Sequence, residues 1–278
     1  MQDILTDIIA HKRLEVKQMK QATSQHELEK QLAEADLSPS RSMKQALMDS
    51  PTGIIAEFKR RSPSKGWIKR EADPSAILPA YEQAGASAIS VLTDETYFGG
   101  TPEDLRTARR CTCLPILRKD FIIDEYQLLQ ARLAGADAVL LIATCLPYED
   151  CARLLMQAHR LGLEVLLEIH STDELAYADL SPDLLGVNNR HLGSFRTDVN
   201  HSFAMAEALQ TFANGSERPC LVSESGISQP ETVRQLRTKG FRGFLMGEHF
   251  MKTPAPGETL SAFVQAITEK DGKEKIPH

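Results

Sequence analysis

The chain predicts a closed (β/α)8 barrel preceded by an extra N-terminal helical segment. Three observations carry that prediction. Eight short apolar runs recur, near residues 53–59, 87–93, 115–119, 137–143, 164–169, 184–188, 220–224 and 243–247. Their starts lie roughly 20 to 35 residues apart, enough for a helix and two loops between parallel strands. Four runs follow a helix-like stretch that ends in Gly: Gly85, Gly135, Gly162 and Gly240. Glycine there suits a helix C-terminus that needs a left-handed residue. Finally, several runs end in polar or charged side chains, as in Ile54-Ile55-Ala56-Glu57-Phe58-Lys59 and Leu221-Val222-Ser223-Glu224. A strand buried on both faces reads as a near-continuous apolar run, and a charge at its end is costly unless paired or used in chemistry. Breaks at the same end of many strands suit a barrel whose mouth is a site. An open doubly wound sheet is the competing reading, and it rarely collects polar residues from so many strands.

Along the chain, residues before about 50 carry helical stripes and no strand. Ile4, Ile8, Ile9 and Leu14 mark one stripe, and Leu28, Leu32 and Leu37 a weaker one. They are expected to cap the barrel floor or flank its mouth. Residues 1–278 are expected to form one barrel domain, with about 1–50 as its extension. The stretch Arg60-Arg61-Ser62-Pro63-Ser64-Lys65-Gly66-Trp67 reads as a loop because of its Pro and Gly. Its cations either close over an anion or form a solvated basic loop.

The 278 residues are 42% apolar and 25% charged, as in an ordinary globular protein. A net charge of −6 argues against a nucleic-acid partner held by a basic surface. No apolar run approaches the roughly 18 residues of a membrane span. The start, Met1-Gln2-Asp3-Ile4-Leu5, lacks a secretory signal pattern, so a cytoplasmic protein is expected. Cysteines 111, 113, 145, 151 and 220 lack framework spacing and read as reduced thiols. Cys111-Thr112-Cys113 could be half a metal site, but no second pair accompanies it. His170, His191 and His249 lie near strand ends, yet no His-x-His or His-Glu-x-x-His pattern supports a metal. No cofactor is expected.

Side chains two apart on a strand share a face. Glu57 with Lys59, and Asn188 with Arg190, therefore form two pairs. If they point inward, they meet Lys119, Glu168 and Glu224 at one mouth. An ion-pair network holding the strand ends together is the plainer reading; the number of groups favours catalysis. Ser225-Gly226 and Met246-Gly247-Glu248 follow the last two strands, where barrels of this kind often hold a phosphate.

These residues resemble the signatures of the indole-3-glycerol-phosphate synthase family of tryptophan biosynthesis. The resemblance runs through Ile54-to-Ser64, Leu92-Thr93-Asp94, Tyr97-Phe98-Gly99-Gly100, Leu117-to-Phe121, Leu167-Glu168, Gly186-to-Arg190, Ser223-to-Gly226 and Phe244-to-Glu248. It implies a TIM barrel with an N-terminal helical extension and no cofactor. It implies ring closure of 1-(2-carboxyphenylamino)-1-deoxyribulose 5-phosphate to indole-3-glycerol phosphate, with loss of CO2 and water. It further implies Lys119 as general acid, Glu168 as catalytic carboxylate, and Glu57 and Lys59 as the first-strand pair. Asn188, Arg190, Glu224 and Ser225 match further site positions. Gly226, Gly247 and Glu248 match the phosphate loop, and Ser62 the mobile first loop. Phe98, Phe121 and Leu192 match its apolar walls. His191 and Glu248 depart from the residues more usual there; if backbone N–H groups hold the phosphate, the Glu248 side chain can turn away.

The residue types suit that chemistry. An ammonium can protonate the substrate ketone under attack by the electron-rich ring. Loss of CO2 restores aromaticity, and loss of water needs an acid at the hydroxyl and a base at nitrogen. A small-molecule phosphorylated substrate is the implied partner, with no nucleic acid and no membrane; a monomer is expected. A sugar-phosphate isomerase or imine-forming lyase, with the imine at Lys119, is the enzymatic alternative. A non-catalytic phosphate-binding barrel is the other, and it would dispense with at least one of Lys119, Glu168 and Glu57.

Overall fold

The computed structural model describes residues 4–37, 39–191, 196–212 and 219–271. Eight parallel strands close into a barrel. In chain order they are β1 (Ile54–Phe58), β2 (Ala88–Leu92), β3 (Ile116–Lys119), β4 (Ala138–Ile142), β5 (Glu164–Ile169), β6 (Leu184–Asn188), β7 (Cys220–Glu224) and β8 (Phe241–Met246). Each strand pairs with its sequence neighbours, and β8 closes on β1 through Ile54 opposite Phe244.

The period-two expectation decides what faces inward. Ile55, Ala88, Leu117, Leu140, Leu166, Leu184, Val222 and Leu245 fill the interior. Ile54, Ala56, Ile89, Val91, Val139, Leu167, Val187 and Phe244 pack outward under the helices. Glu57 shares the face of Ile55, Lys119 that of Leu117, Glu168 that of Leu166, and Glu224 that of Val222. The polar strand ends therefore project into the barrel axis.

Gly85, Gly135, Gly162 and Gly240 adopt φ of 92°, 90°, 71° and 98°, as expected for residues that end helices in the left-handed region. The connection after β5 departs from the helical expectation. Residues 170–183 form a 3₁₀ stretch, Thr172–Leu180, closed by Ser181 at φ 55°. It is a short connection, close to the minimum for a parallel crossover.

The N-terminal segment does both jobs open to it. Helix α1 (Ile4–Ala22) flanks the mouth, where Ile4, Leu5 and Ile8 line the cavity. Helix α2 (Gln25–Glu34) packs Leu28 against Tyr126 and Leu129. Helix α3 (Met43–Asp49) closes the floor, with Met43 and Leu47 fully buried in the interior cluster. Its start is fixed by Glu164, which accepts from the N–H groups of Met43 (2.7 Å) and Lys44 (2.9 Å). A carboxylate there satisfies helix donors and complements the helix dipole.

One expected core position is wrong. Leu14 is 61% exposed, whereas Lys12 is 1% exposed on the buried face of α1. The repeat 4, 8, 12, 16 tracks one helical face, and a lysine occupies its third place because partners await it. Leu37 falls beyond the end of α2 and is half-buried. The loop after β1 contains a two-residue antiparallel ribbon, Arg61–Ser62 with Gly66–Trp67.

Candidate active site

The strand ends meet in a cavity of about 660 Å³, lined by Glu57, Lys59, Lys119, Glu168, Asn188, Arg190 and Glu224. Register brings them together: Asn188 lies opposite Glu224 and Leu92 opposite Lys119. The Lys119 ammonium donates to Glu224 Oε2 at 2.9 Å and Glu168 Oε2 at 3.3 Å. Lys59 donates to Glu57 alongside. Gly186 makes room, since a Cβ there would sit 2.2 Å from Glu224 Oε1.

Burial raises the Glu168 and Glu224 carboxyls, so their partners decide the outcome. The Glu168 carboxyl is pushed up by burial, but Lys119 and then His170 overcome this and hold it below the usual carboxylate range. Glu224 is pushed up by burial and by Glu168; Lys119 opposes this without reversing it. Burial alone would neutralise Lys119, yet Glu224, Glu168 and Glu57 keep it charged well past the ordinary lysine range. The cluster thus holds an ammonium, an ionised carboxylate and a carboxyl that keeps its proton more readily. Pairs of carboxyls driven apart in this way mark acid–base sites.

Lysine 119 is anchored by its chain neighbours. Arg118 points out of the barrel and donates to Asp120 Oδ2 at 3.0 Å. Asp120 also accepts from Thr93 Oγ1 at 2.6 Å. From α1, the Lys12 ammonium reaches Asp120 Oδ1 and Asp94 Oδ2, both at 3.0 Å. Burial raises the Asp120 carboxyl, but Arg118 and Lys12 outweigh it and bring it to about 2.

At the opposite rim, Ser62, Ser225, Gly226, Gly247 and Glu248 line the same cavity. Ser225 (φ 68°) and Gly226 (φ 78°) are both left-handed, and a Cβ on Gly226 would lie 2.4 Å from Thr197 Cγ2. Gly247 has a steric role beside the phosphate role that the resemblance implies. A Cβ there would lie 2.4 Å from Glu57 Oε1, so the glycine makes room for a carboxylate of the site itself. Glu248 does not turn away from the mouth: its carboxylate meets Lys65 Nζ at 3.0 Å and Arg190 Nη2 at 4.0 Å. Arg190 also donates to Ser64 Oγ at 2.7 Å, which ties the first loop across the opening. Arg60 and Arg61 point elsewhere, to Asp104 and the Thr96 carbonyl. Of the loop's cations, Lys65 faces the mouth.

Phe98 and Phe121 form an apolar wall, with ring centroids 6.1 Å apart. Leu192 lies outside the described residues. Two residues escaped the sequence reading. Lys12 lies on the buried face of α1, where a search for apolar residues passes over it. His170 was weighed only as a metal ligand, yet its Nε2 lies 3.2 Å from Glu168 Oε1. The signal for His170 was its spacing of two from Glu168. His249 also lines the cavity and packs edge-on against Phe250 and Phe263. Among the described residues, no three His, Cys, Asp or Glu side chains are grouped to hold a metal ion.

Comparison with known proteins agrees with this geometry. The sequence model for indole-3-glycerol phosphate synthase matches residues 5–263. An indole-3-glycerol phosphate synthase of Bacteroides thetaiotaomicron is 61% identical over 267 residues, covering 96% of this chain and 100% of that protein. Its counterpart in Neisseria meningitidis is 44% identical over 261 residues, covering 91% and 95%. Among solved structures, a mutant tryptophan synthase α-subunit of Pyrococcus furiosus matches with TM-score 0.59 at 15% identity, covering 78% of this chain and 98% of that one. Thiamine phosphate pyrophosphorylase of the same organism matches with TM-score 0.57 at 16% identity, covering 80% and 98%. These two show the barrel fold alone. The two relatives and the family match establish that the chain belongs to the indole-3-glycerol phosphate synthase family, carboxy-lyases of tryptophan biosynthesis.

Proposed function

We propose that this mouth closes the indole ring of 1-(2-carboxyphenylamino)-1-deoxyribulose 5-phosphate, releasing CO2 and water, with Lys119 as the acid at the ketone oxygen. The observation that carries the reading is the Lys119 ammonium held between Glu168 and Glu224, with the Glu57–Lys59 pair beside it. Two carboxylates keep the lysine charged and aimed, and the ketone oxygen gains its proton as the ring attacks. Glu168 and Glu57 are the bases for the dehydration, and Lys59 is the second acid or an anion clamp. Asn188 and Glu224 complete the reacting end.

Phe98 and Phe121 stack on the anthranilate ring. Ser62, Ser225, Gly226 and the backbone at Gly247 and Glu248 take the phosphate, while Arg190 takes the substrate's carboxylate or its phosphate. The Glu248 carboxylate repels an anion, so its N–H rather than its side chain serves. Phosphate binding far from the reacting carbons holds the two ends of the substrate together. Residues 1–278 act as one barrel domain, with about 1–50 its extension; the cavity lining from α1 and the floor from α3 support this. Among the described residues no helix is long and apolar enough to cross a membrane. A cytoplasmic monomer fits these features.

The test is fluorescence of the indole product from the purified protein, with and without a chelator. Ring closure unaffected by chelator is expected. Turnover that a chelator abolishes and a divalent ion restores would overturn the reading. So would a borohydride-trapped adduct at Lys119, which belongs to an imine mechanism.

A further inference from the structure

Ring closure with decarboxylation has a proton balance that the mouth alone does not meet. The substrate loses a carboxylate as neutral CO2, so each turnover takes up one proton from solvent. Lys119 and Glu168 are sunk in the site, with side chains 15% and 4% exposed. A path must lead from Glu168 to water while substrate covers the mouth.

The two oxygens of Glu168 face opposite ways. Oε2 faces Lys119 and Oε1 faces His170 Nε2 at 3.2 Å. The His170 side chain is only 10% exposed, and its Nε2 is not aligned for a straight hydrogen bond with any neighbour. Its other nitrogen, Nδ1, lies 3.4 Å from the hydroxyl of Thr144, an exposed residue. That hydroxyl donates to Glu174 Oε1 at 2.5 Å. Glu174 Oε2 accepts from the His170 backbone N–H at 2.6 Å and faces Nδ1 at 3.9 Å, which pins the imidazole between the interior and the rim. None of His170, Thr144 and Glu174 lines the substrate cavity. The chain of groups runs beside the site.

We propose that His170 is the proton port of this enzyme, a positioning residue that acts through Glu168. The imidazolium passes its Nε2 proton to Glu168 Oε1. The carboxyl group turns and delivers that proton to neutral Lys119, which has given its own to the substrate. The imidazole left behind carries its hydrogen on Nδ1; it changes to the Nε2–H tautomer, and the freed Nδ1 then takes a proton from solvent by way of the Thr144–Glu174 rim, which restores the imidazolium. Only a proton moves, and every group returns to its starting state. The surroundings suit the role. Burial disfavours the imidazolium, but Glu168, Glu174 and Glu224 all face it and raise its pKa above the ordinary histidine value. His201, packed against the His170 backbone, is lowered by burial and by that neighbouring charge, so it does not compete for the proton.

The inference rests on Lys119 and Glu168 acting as proposed, and one set of variants separates the two ideas. Glu168→Gln tests the site: a variant that keeps turnover sinks the assignment of Glu168 and the port with it. His170→Gln keeps an N–H near Glu168 but cannot titrate. For it, kcat is expected to fall about tenfold, less than the roughly 10²–10⁴-fold of a direct acid or base because His170 acts through Glu168, with KM nearly unchanged. The loss should be greatest where His170 is an imidazolium and shrink as pH rises past its raised pKa, where the parent lacks the donor as well. His170→Ala should recover turnover with added imidazole in proportion to the imidazolium concentration. If Glu168→Gln is inactive while His170→Gln keeps wild-type kcat and pH profile, the port is refuted and the site reading stands. Rescue of His170→Ala that tracks total imidazole rather than imidazolium would equally refute it, since filling space needs no charge.

Discussion

Replacing Lys12 by Met tests how far the active site depends on helix α1. The ammonium meets Glu15 at 2.8 Å and Asp94 and Asp120 at 3.0 Å each. Glu15 is 28% exposed at its side chain and will be hydrated. Asp120 keeps Arg118 and Thr93. Asp94 keeps the Tyr97 N–H on Oδ1 but loses the cation at Oδ2, in a side chain 1% exposed. Removing one partner of a buried pair costs about 3–5 kcal/mol. The surviving partners of Asp120 place this case near the lower end, about 3 kcal/mol. For a domain of this size that lowers Tm by about 6–12 °C. Urea unfolding at neutral pH reads the same loss as a lower midpoint with unchanged slope. The double variant Lys12→Met, Asp94→Asn should recover part of the loss, because the stranded charge is gone. Turnover should fall as well, since Ile4, Leu5 and Ile8 of the same helix line the cavity. A loss below about 1 kcal/mol, with no recovery in the double variant, would show that water reaches these carboxylates and that the lysine is no anchor.

Three further outcomes follow from the geometry. Lys119→Ala should lower kcat at least about 10²-fold, roughly 2.7 kcal/mol of barrier, with a much smaller change in KM; near-normal turnover would remove it as the acid. Gly247→Val drives a side chain into Glu57, so turnover should fall more than affinity for phosphate-bearing product; the reverse order, measured on the folded variant, would show that the space this glycine leaves serves the phosphate rather than Glu57. Asp120 is depressed to about 2 in the fold, so its contribution to stability is present above its unfolded pKa of about 3.9 and is lost as pH falls toward 2. In acid titration, Asp120→Asn should therefore lose less stability than the parent between about pH 4 and pH 2; parallel curves would show that Asp120 is not held ionised.

Much of the site was legible because a barrel strand translates spacing into direction. Glu57 and Lys59 are two apart on a run whose other members are apolar, and the same parity governs Lys119, Glu168 and Glu224. The strands therefore delivered these side chains where alternation requires. Helix α1 defeated the same reasoning. Hydrophobic periodicity looks for apolar residues and so passes over a buried lysine, and it promoted Leu14, which faces water. The buried place of Lys12 depends on Asp94 and Asp120, residues distant in sequence that only closure of the barrel brings near. His170 was hidden for a related reason: its importance lies in contact with Glu168 and a rim formed by Thr144 and Glu174. The steric demand on Gly247 escapes local pattern because only the folded register shows Glu57 beside it. No local pattern reports which of Glu168 and Glu224 keeps its proton: Glu224 lies nearer the Lys119 ammonium, yet it is Glu168 that has His170 as a further partner, and the ionised Glu168 then raises Glu224.

The plug of α3 in the barrel floor has a consequence for how such a protein can change over generations. Met43 and Leu47 share the interior cluster with the bases of the strands. A Cβ on Gly243 would already crowd Val222 and Leu47, at 2.8 and 3.0 Å. Substitutions at that end alter packing without moving a proton donor, so a lineage entering a hotter or colder habitat can retune its melting point there while its chemistry stays as it was. The opposite end has no such freedom, because a change that alters the catalyst also disturbs buried charges. Lys12 is where the two kinds of selection are expected to meet: it lies on an extension outside the barrel and holds Asp94 and Asp120 beside the mouth.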